Sequence, residues 1–282
     1  MSSDTVLVIG AAGHAAGHVV SALADRGARV RGFIRDADRR DDVLSRGAAE
    51  VAIGDLTESD SVRSALAGVS SAFYIAPAFI ADEARIGVSV VDECRRAGVR
   101  RLVFSSVIHP GLELINHAAK APVERALYDS GMEYAVLQPA LFFQNFAQSL
   151  ARAAESGVFA EPWSTETRFS RVDYRDVAEA AALALTGDRL IGGTYELAAD
   201  GHLNRHDVAA LMSQAAGRPI TAQRLDPAAM TDLEPAMRAM FDHYDHSGLL
   251  STAVTLSAVL ERPPRTLQDY FHELAAEGEP LT

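Results

Sequence analysis

The sequence predicts an α/β protein: a doubly wound, parallel, Rossmann-type sheet followed by a smaller C-terminal α+β lobe. Three observations predict it. The chain opens with a strand that passes through a glycine-rich turn into a helix, apolar runs then alternate repeatedly with helical patterns, and the alternation lapses beyond Pro139.

The opening element is Val6-Leu7-Val8-Ile9, an unbroken, mostly β-branched run of the kind that a strand buried on both faces requires. Gly10-Ala11-Ala12-Gly13-His14-Ala15-Ala16-Gly17 follows, and Ala16, Val19, Val20, Leu23 and Ala24 then recur at helical spacing. Gly10 permits the turn, and Gly13 permits close approach of an anion. Ala16 supplies the small residue expected three positions after Gly13. A pyrophosphate placed at Gly10, Ala12, Gly13, His14, Ala15 and Ala16 would meet unpaired N–H groups and the positive end of a helix dipole, with no need for a basic side chain.

Strands are then expected at 29–35, 49–53, 71–76, 101–106 and 134–138, with helices at about 38–46, 59–66, 81–97 and 119–130 between them. Parallel strands with right-handed crossovers follow from that alternation. Further on, helices are expected at about 145–155, 173–185, 227–244, 251–260 and 266–277, with another starting near Asn204. Strands are expected at 194–197 and 219–224, and 156–168 reads as an insertion. The expected division is a dinucleotide-binding domain over 1–155, to which 169–200 returns, and a mostly helical substrate lobe over 156–282.

The 282 residues are 48% hydrophobic, ample for a core, yet no apolar run is long enough to span a bilayer and no signal sequence is evident. The single cysteine, Cys94, excludes an internal disulfide framework and reads as a core residue. A net charge of −12 argues against direct binding to nucleic acid or to an anionic membrane. The expectation is a cytoplasmic protein acting on a small molecule. His14 and His18, His202 and His206, and the run Asp242-His243-Tyr244-Asp245-His246 lack the arrangement of a zinc site, so no metal is expected.

Arg35 ends the second strand, where a Rossmann site meets the adenosine ribose; an arginine there pairs with a 2′-phosphate, and Arg39 or Arg40 would add charge. NADP is therefore expected, with NAD still possible. The alternative is that Arg35 and Asp36 are solvated and Asp36 caps the next helix. Ala76 and Pro77 end the fourth strand, at the carboxyl edge where open α/β sheets bind ligands.

A set of stretches resembles the NmrA-like branch of the atypical short-chain dehydrogenase/reductases. They are Val8 to Gly13, Gly54-Asp55-Leu56, Leu102 to Val107, His117 to Lys120, Leu137 to Asn145, Val172 to Ala178 and Glu261 to Leu267, spread in family order over nearly the whole chain. The resemblance implies an NAD(P)-binding domain with a substrate cleft, and two alternative activities. One is an NADP(H)-dependent oxidoreductase reducing a small quinone, conjugated carbonyl or imine; the other is a catalytically silent NADP(H)-binding sensor. It leaves open a homo-oligomer and, for the sensor, a protein partner.

The resemblance also places Asp55 and Leu56 at the adenine edge; Phe142, Phe143 and Asn145, which follow the last main strand, are expected at the nicotinamide end, and Pro139 among the cofactor-binding residues. Ordinary members of the wider group use a tyrosine four residues before a lysine. With Lys120 as that lysine, the tyrosine position holds Asn116, which is no comparable acid. Lys120 and His117, three residues apart and on one helix face, are the candidate catalytic pair.

Overall fold

The computed structural model describes residues 4–77, 80–226, 230 and 233–277. In chain order the first part holds β1 (Thr5–Ile9), α1 (His14–Asp25), β2 (Arg29–Ile34), α2 (Arg40–Ser45), β3 (Glu50–Ile53), α3 (Ser59–Ala65) and β4 (Val69–Ile75). It continues with α4 (Glu83–Arg96), β5 (Arg101–Ser105), α5 (Ile115–Ala118), α6 (Ala121–Tyr128) and β6 (Glu133–Pro139). The later part holds β7 (Leu141–Phe142), α7 (Ala147–Ser156), β8 (Val158–Glu161), β9 (Arg171–Val172), α8 (Tyr174–Thr186), β10 (Gly193–Leu197) and α9 (Arg205–Ala216). After these come β11 (Thr221–Arg224), α10 (Pro235–His246), α11 (Ala253–Leu260) and α12 (Leu267–Glu277).

Contacts divide the chain into two compact units, residues 1–138 with 174–195, and residues 139–173 with 196–282. The first is organised on a seven-stranded sheet of order β10-β6-β5-β4-β1-β2-β3. The pairings β3 to β2, β2 to β1, β1 to β4, β4 to β5 and β5 to β6 are all parallel, with Val8 opposite Gly32 on one side and Phe73 on the other. Strand order reverses between β1 and β4, which makes their carboxyl ends the topological switch point where such sheets bind ligands.

Alternate side chains of each strand face opposite layers. Leu7, Ile9, Ala72, Tyr74, Leu102, Phe104 and Val136 pack with Val62 of α3 and Leu66 just past its end, Val90 and Cys94 of α4, and Val123 and Leu127 of α6. Helices α1 and α8 pack together and against the strands. Arg101, only 2% exposed, fixes the end of α8: its guanidinium donates to the carbonyls of Ala184 at 3.0 Å and Gly187 at 2.7 Å, satisfying helix-terminal acceptors with a cation.

The second unit has its own core, in which Phe143, Phe146 and Leu150 meet Phe159, Met212 and Phe271. Here the observed boundary differs from the expected one. The chain leaves the first unit after Gln138 rather than at 155, because the apolar face of 143–153 is buried in the second core, and only 174–195 of the expected returning segment 169–200 belongs to the first. The segment read as an insertion contains β8, which pairs in parallel with β11, Val158 opposite Thr221. The two-residue strands β7 and β9 also pair in parallel, and they are too short to leave a periodic signal. The helix expected over 227–244 begins outside the described residues and is seen from Pro235. The one expected over 119–130 is two helices, α5 and α6, meeting at Lys120.

Candidate active site

The turn after β1 is built by backbone geometry. Gly10 sits at φ +80°, a conformation that side chains disfavour, and its N–H and that of Ala11 donate to the Phe33 carbonyl at 3.1 and 3.2 Å. Gly13 N–H folds back onto the Gly10 carbonyl at 2.8 Å. Gly13 then stands at the N-cap of α1 with no side chain to cap it, and no acidic residue lies in the first turn. The N–H groups of Ala12, His14, Ala15 and Ala16 have no acceptor among the described residues. An uncapped helix start at the switch point of the sheet, its donors converging beside exposed Gly13 and His14, is a cradle that fits a pyrophosphate.

Two arginines support this loop from outside. Arg46 Nη1 lies 3.4 Å from both the Ala11 and Gly13 carbonyls, and Arg39 Nη2 lies 3.4 Å from the Ala12 carbonyl. The Arg46 side chain crosses Gly17, where a Cβ would fall 1.7 Å from its Nη1. Arg46 had no role in the sequence reading; the one trace of it there is the glycine at 17, whose neighbour only the fold supplies.

Arg35 is the first residue past β2, exposed, and makes no hydrogen bond or ion pair among the described residues. Its charge helps hold the Asp55 carboxyl below its usual value, although the larger causes are the Thr57 N–H and hydroxyl, which donate to Asp55 Oδ1 at 2.8 and 2.7 Å. Asp36 accepts the Asp38 N–H at 3.0 Å and so acts as a local cap, leaving the guanidinium beside it as the group available to a ligand. Gly54 N–H donates to the Ile34 carbonyl at 2.9 Å, which places Asp55 next to the end of β2. Leu56 and Ala76 pack on the core, and Pro77 is exposed beyond β4, which ends beside Gly10: Ile75 Cγ2 is 3.7 Å from where a Gly10 Cβ would be.

Lys120 is 9% exposed, and its ammonium is paired with the carboxylate of Glu83, itself 7% exposed, at the start of α4. Tyr74 shares this neighbourhood. Its hydroxyl is buried with no hydrogen-bond partner among the described residues, and burial together with the Glu83 charge pushes it well above the ordinary tyrosine value. His117 is 1% exposed, with Nδ1 2.8 Å from the Ile108 carbonyl and 3.3 Å from that of His109. Carbonyls only accept, so Nδ1 carries the proton and Nε2 is an acceptor. Burial, the largest influence, moves His117 below 6.5, so at neutral pH it is an uncharged acceptor rather than the acid that its sequence position suggested.

A second buried carboxylate, Glu124, lies on α6, four residues after Lys120. Glu124 accepts the Ser106 hydroxyl at 2.5 Å, the Gln138 amide at 2.8 Å and the Tyr128 hydroxyl at 3.1 Å, while the Ser105 hydroxyl is buried and unpartnered. Neither Glu83 nor Glu124 was singled out from the sequence. Lys120 is remote from Glu83, and Ser106 and Gln138 lie on other elements than Glu124, so apart from Tyr128, four residues after Glu124, no local pattern marks them.

Of the residues expected at the nicotinamide end, Phe142 lies in β7 and is half-buried, Phe143 is buried in the core of the second unit, and Asn145 is exposed in the turn before α7; Pro139, expected to bind the cofactor, is the buried last residue of β6. Among the described residues there is no group of three or more His, Cys, Asp or Glu placed to hold a metal ion, and no helix is long and apolar enough to cross a membrane.

The sequence profile of the NmrA-like family matches residues 2–271. The chain belongs to the NmrA-like family. Among curated proteins, it is 29% identical to an NAD(P)H azoreductase of Xenophilus azovorans, across 96% of this chain and 98% of that protein. It is 24% identical to quinone oxidoreductase 2 of Escherichia coli, across 95% and 98%. Its fold matches the crystal structure of the Escherichia coli NADPH-dependent quinone oxidoreductase complexed with NADPH, with a TM-score of 0.85, 24% identity and coverage of 95% and 99%. The triphenylmethane reductase of Citrobacter sp., complexed with NADP(H), matches with a TM-score of 0.84, 21% identity and coverage of 96% and 99%.

Proposed function

We propose that this NmrA-like protein is an NADP(H)-dependent oxidoreductase that reduces a small acceptor, a quinone, conjugated carbonyl or imine. The observation that carries the reading is the uncapped start of α1 at the switch point, with Arg35 unengaged at the end of β2. Relatives that are an NAD(P)H azoreductase and a quinone oxidoreductase support the same class of chemistry.

The donors of Ala12, His14, Ala15 and Ala16 would hold the pyrophosphate, Arg35 the 2′-phosphate with Arg39 and Arg40 near it in sequence, and Asp55 and Leu56 the adenine edge. When bound, the dinucleotide supplies the hydride. The reduced acceptor gains negative charge that this chain must stabilise or protonate. The buried Lys120–Glu83 pair is the polar group best suited to that task, and His117 Nε2, an acceptor, would orient a water or an acceptor hydroxyl. A hydroquinone anion is delocalised and needs only a weak acid, which makes a quinone better suited than a simple ketone to a site without the usual tyrosine.

The second reading, a silent NADP(H) sensor, draws support from the same geometry, because Lys120 is neutralised by Glu83 and His117 holds no spare proton. Calorimetry and turnover separate the two. Arg35→Ala should weaken NADPH binding by roughly ten- to a hundredfold, the worth of a charge-assisted contact, and leave NADH nearly unchanged. Equal losses for both would remove the NADP assignment. NADPH oxidation by a panel of quinones, enones and imines above the spontaneous rate supports the enzyme; tight NADPH binding with no oxidation by any of them supports the sensor.

A further inference from the structure

Two arginines inside the second unit have more donors than partners. Arg171 of β9 is 6% exposed and Arg205 at the start of α9 is 3% exposed. Arg171 Nε is buried without a partner, and the guanidinium makes no hydrogen bond or ion pair among the described residues. Arg205 donates through Nη1 to the Gln223 carbonyl at 2.9 Å, while its Nε and Nη2 are buried with no hydrogen-bond partner among the described residues, Nε meeting only the Glu161 carboxylate at ion-pair distance. Buried polar groups are almost always satisfied, so several open donors on two neighbouring cations call for an explanation.

The resident carboxylates do not supply one. Glu161 influences both guanidiniums but stops 3.7 Å from Arg205 Nε, too far for a hydrogen bond, and one carboxylate cannot balance two cations. Asp245 influences Arg205, but its Oδ2 is engaged by Arg224 at 2.8 Å and its buried Oδ1 makes no hydrogen bond to either guanidinium. The cluster is left with one positive charge in excess, and Arg171, lowered by burial only to about 10, is cationic at neutral pH.

Aromatic rings line the same cluster. Arg171 lies 4.2 Å from the ring centre of Phe146 and 5.7 Å from that of Phe169, and Arg205 lies 5.5 Å from that of Trp163. Trp163 in turn meets Phe169 at 6.1 Å and Tyr244 at 5.4 Å between centroids. Trp163 and Glu161 are only half-buried, so the cluster reaches the surface of the unit beside them.

We propose that Arg171 and Arg205 form a binding site for an aromatic carboxylate, whose oxygens bridge the two guanidiniums while its ring lies against Trp163. A planar carboxylate matches the forked donors that a single point charge would leave unused, and the indole face gives a ring its stacking partner. The site is independent of the dinucleotide reading, since every residue in it belongs to the second unit.

Trp163 is the chain's only tryptophan, so its emission reports on this site alone. Benzoate titrated into the full-length protein should change that emission saturably, at concentrations at least about tenfold below those at which benzamide, its neutral counterpart, or inorganic phosphate acts. Arg171→Gln and Arg205→Gln, checked for folding by circular dichroism, should each weaken benzoate at least about tenfold. Benzamide acting as well as benzoate would remove the charge recognition, and phosphate acting as well would remove the aromatic part. Either folded variant binding benzoate like the parent would overturn the assignment. Should both variants fail to fold, the three-ligand comparison on the parent decides the matter alone.

Discussion

Breaking the Lys120–Glu83 pair from one side should cost far more than removing it whole. Both residues are buried, with side chains 11% and 6% exposed, so Lys120→Met would leave a carboxylate in a low-dielectric site without its cation. Removing one partner of such a pair typically costs about 3–5 kcal/mol, whereas replacing both by apolar groups of similar volume is often neutral. Against a total stability of roughly 5–15 kcal/mol the single change should be plain in urea denaturation. Glu83→Met should show a similar loss, and the double variant should return to within about 1 kcal/mol of the parent. A loss of less than about 1 kcal/mol for Lys120→Met, or two losses that simply add, would show that the two groups are not a coupled buried pair. The double variant also isolates function: with stability restored and NADPH binding retained, at least tenfold slower quinone reduction would show that the pair acts on the acceptor, about 1.4 kcal/mol of transition-state stabilisation. An unchanged rate would make it structural.

Gly13→Val should abolish dinucleotide binding in calorimetry while the protein still folds, because its Cβ would lie 3.1 Å from the Gly10 carbonyl, tight but tolerable, while its branches would fill the phosphate cradle. A folded variant that binds like the parent would displace the phosphate site from this loop. The folded protein holds His117 below its ordinary 6.5, so this group's contribution to stability is present above about pH 6.5 and is lost as pH falls. Urea titrations from pH 7 to 5 should show that slope, and His117→Asn should flatten it; an equal slope in the variant would sink the assignment. Burial raises the Cys94 thiol from 9.0 to about 12, so labelling by a thiol reagent at pH 8 should be no faster than global unfolding, and rapid labelling of the native protein would contradict it.

The strands and helices of the first unit were legible because each carries its own signal. The run Val6 to Ile9 is buried on both faces, Gly27, Gly47, Gly68 and Gly98 all take positive φ just past helices, and Gly10 takes the left-handed turn that opens the phosphate loop. The second unit was less legible. Its strands β7 and β9 are two residues long, and β8 finds its partner β11 far along the chain, so neither pairing leaves a periodic trace.

The sequence by itself determined the alternation that forces a parallel sheet, the glycine turn that opens α1 and the arginine at the end of β2, because strand period, helix period and turn chemistry are properties of adjacent residues. Which charges stand free was decided only by the tertiary structure. Lys120 is neutralised by a glutamate on another helix, Arg46 is spent on loop carbonyls, and Asp36 is used as a cap, whereas Arg35 and Arg171 keep guanidiniums with no hydrogen-bond partner among the described residues. The physical reason is that an ionic contact is fixed by distance in space and by desolvation, and the chain acquires both only when elements remote in sequence pack together.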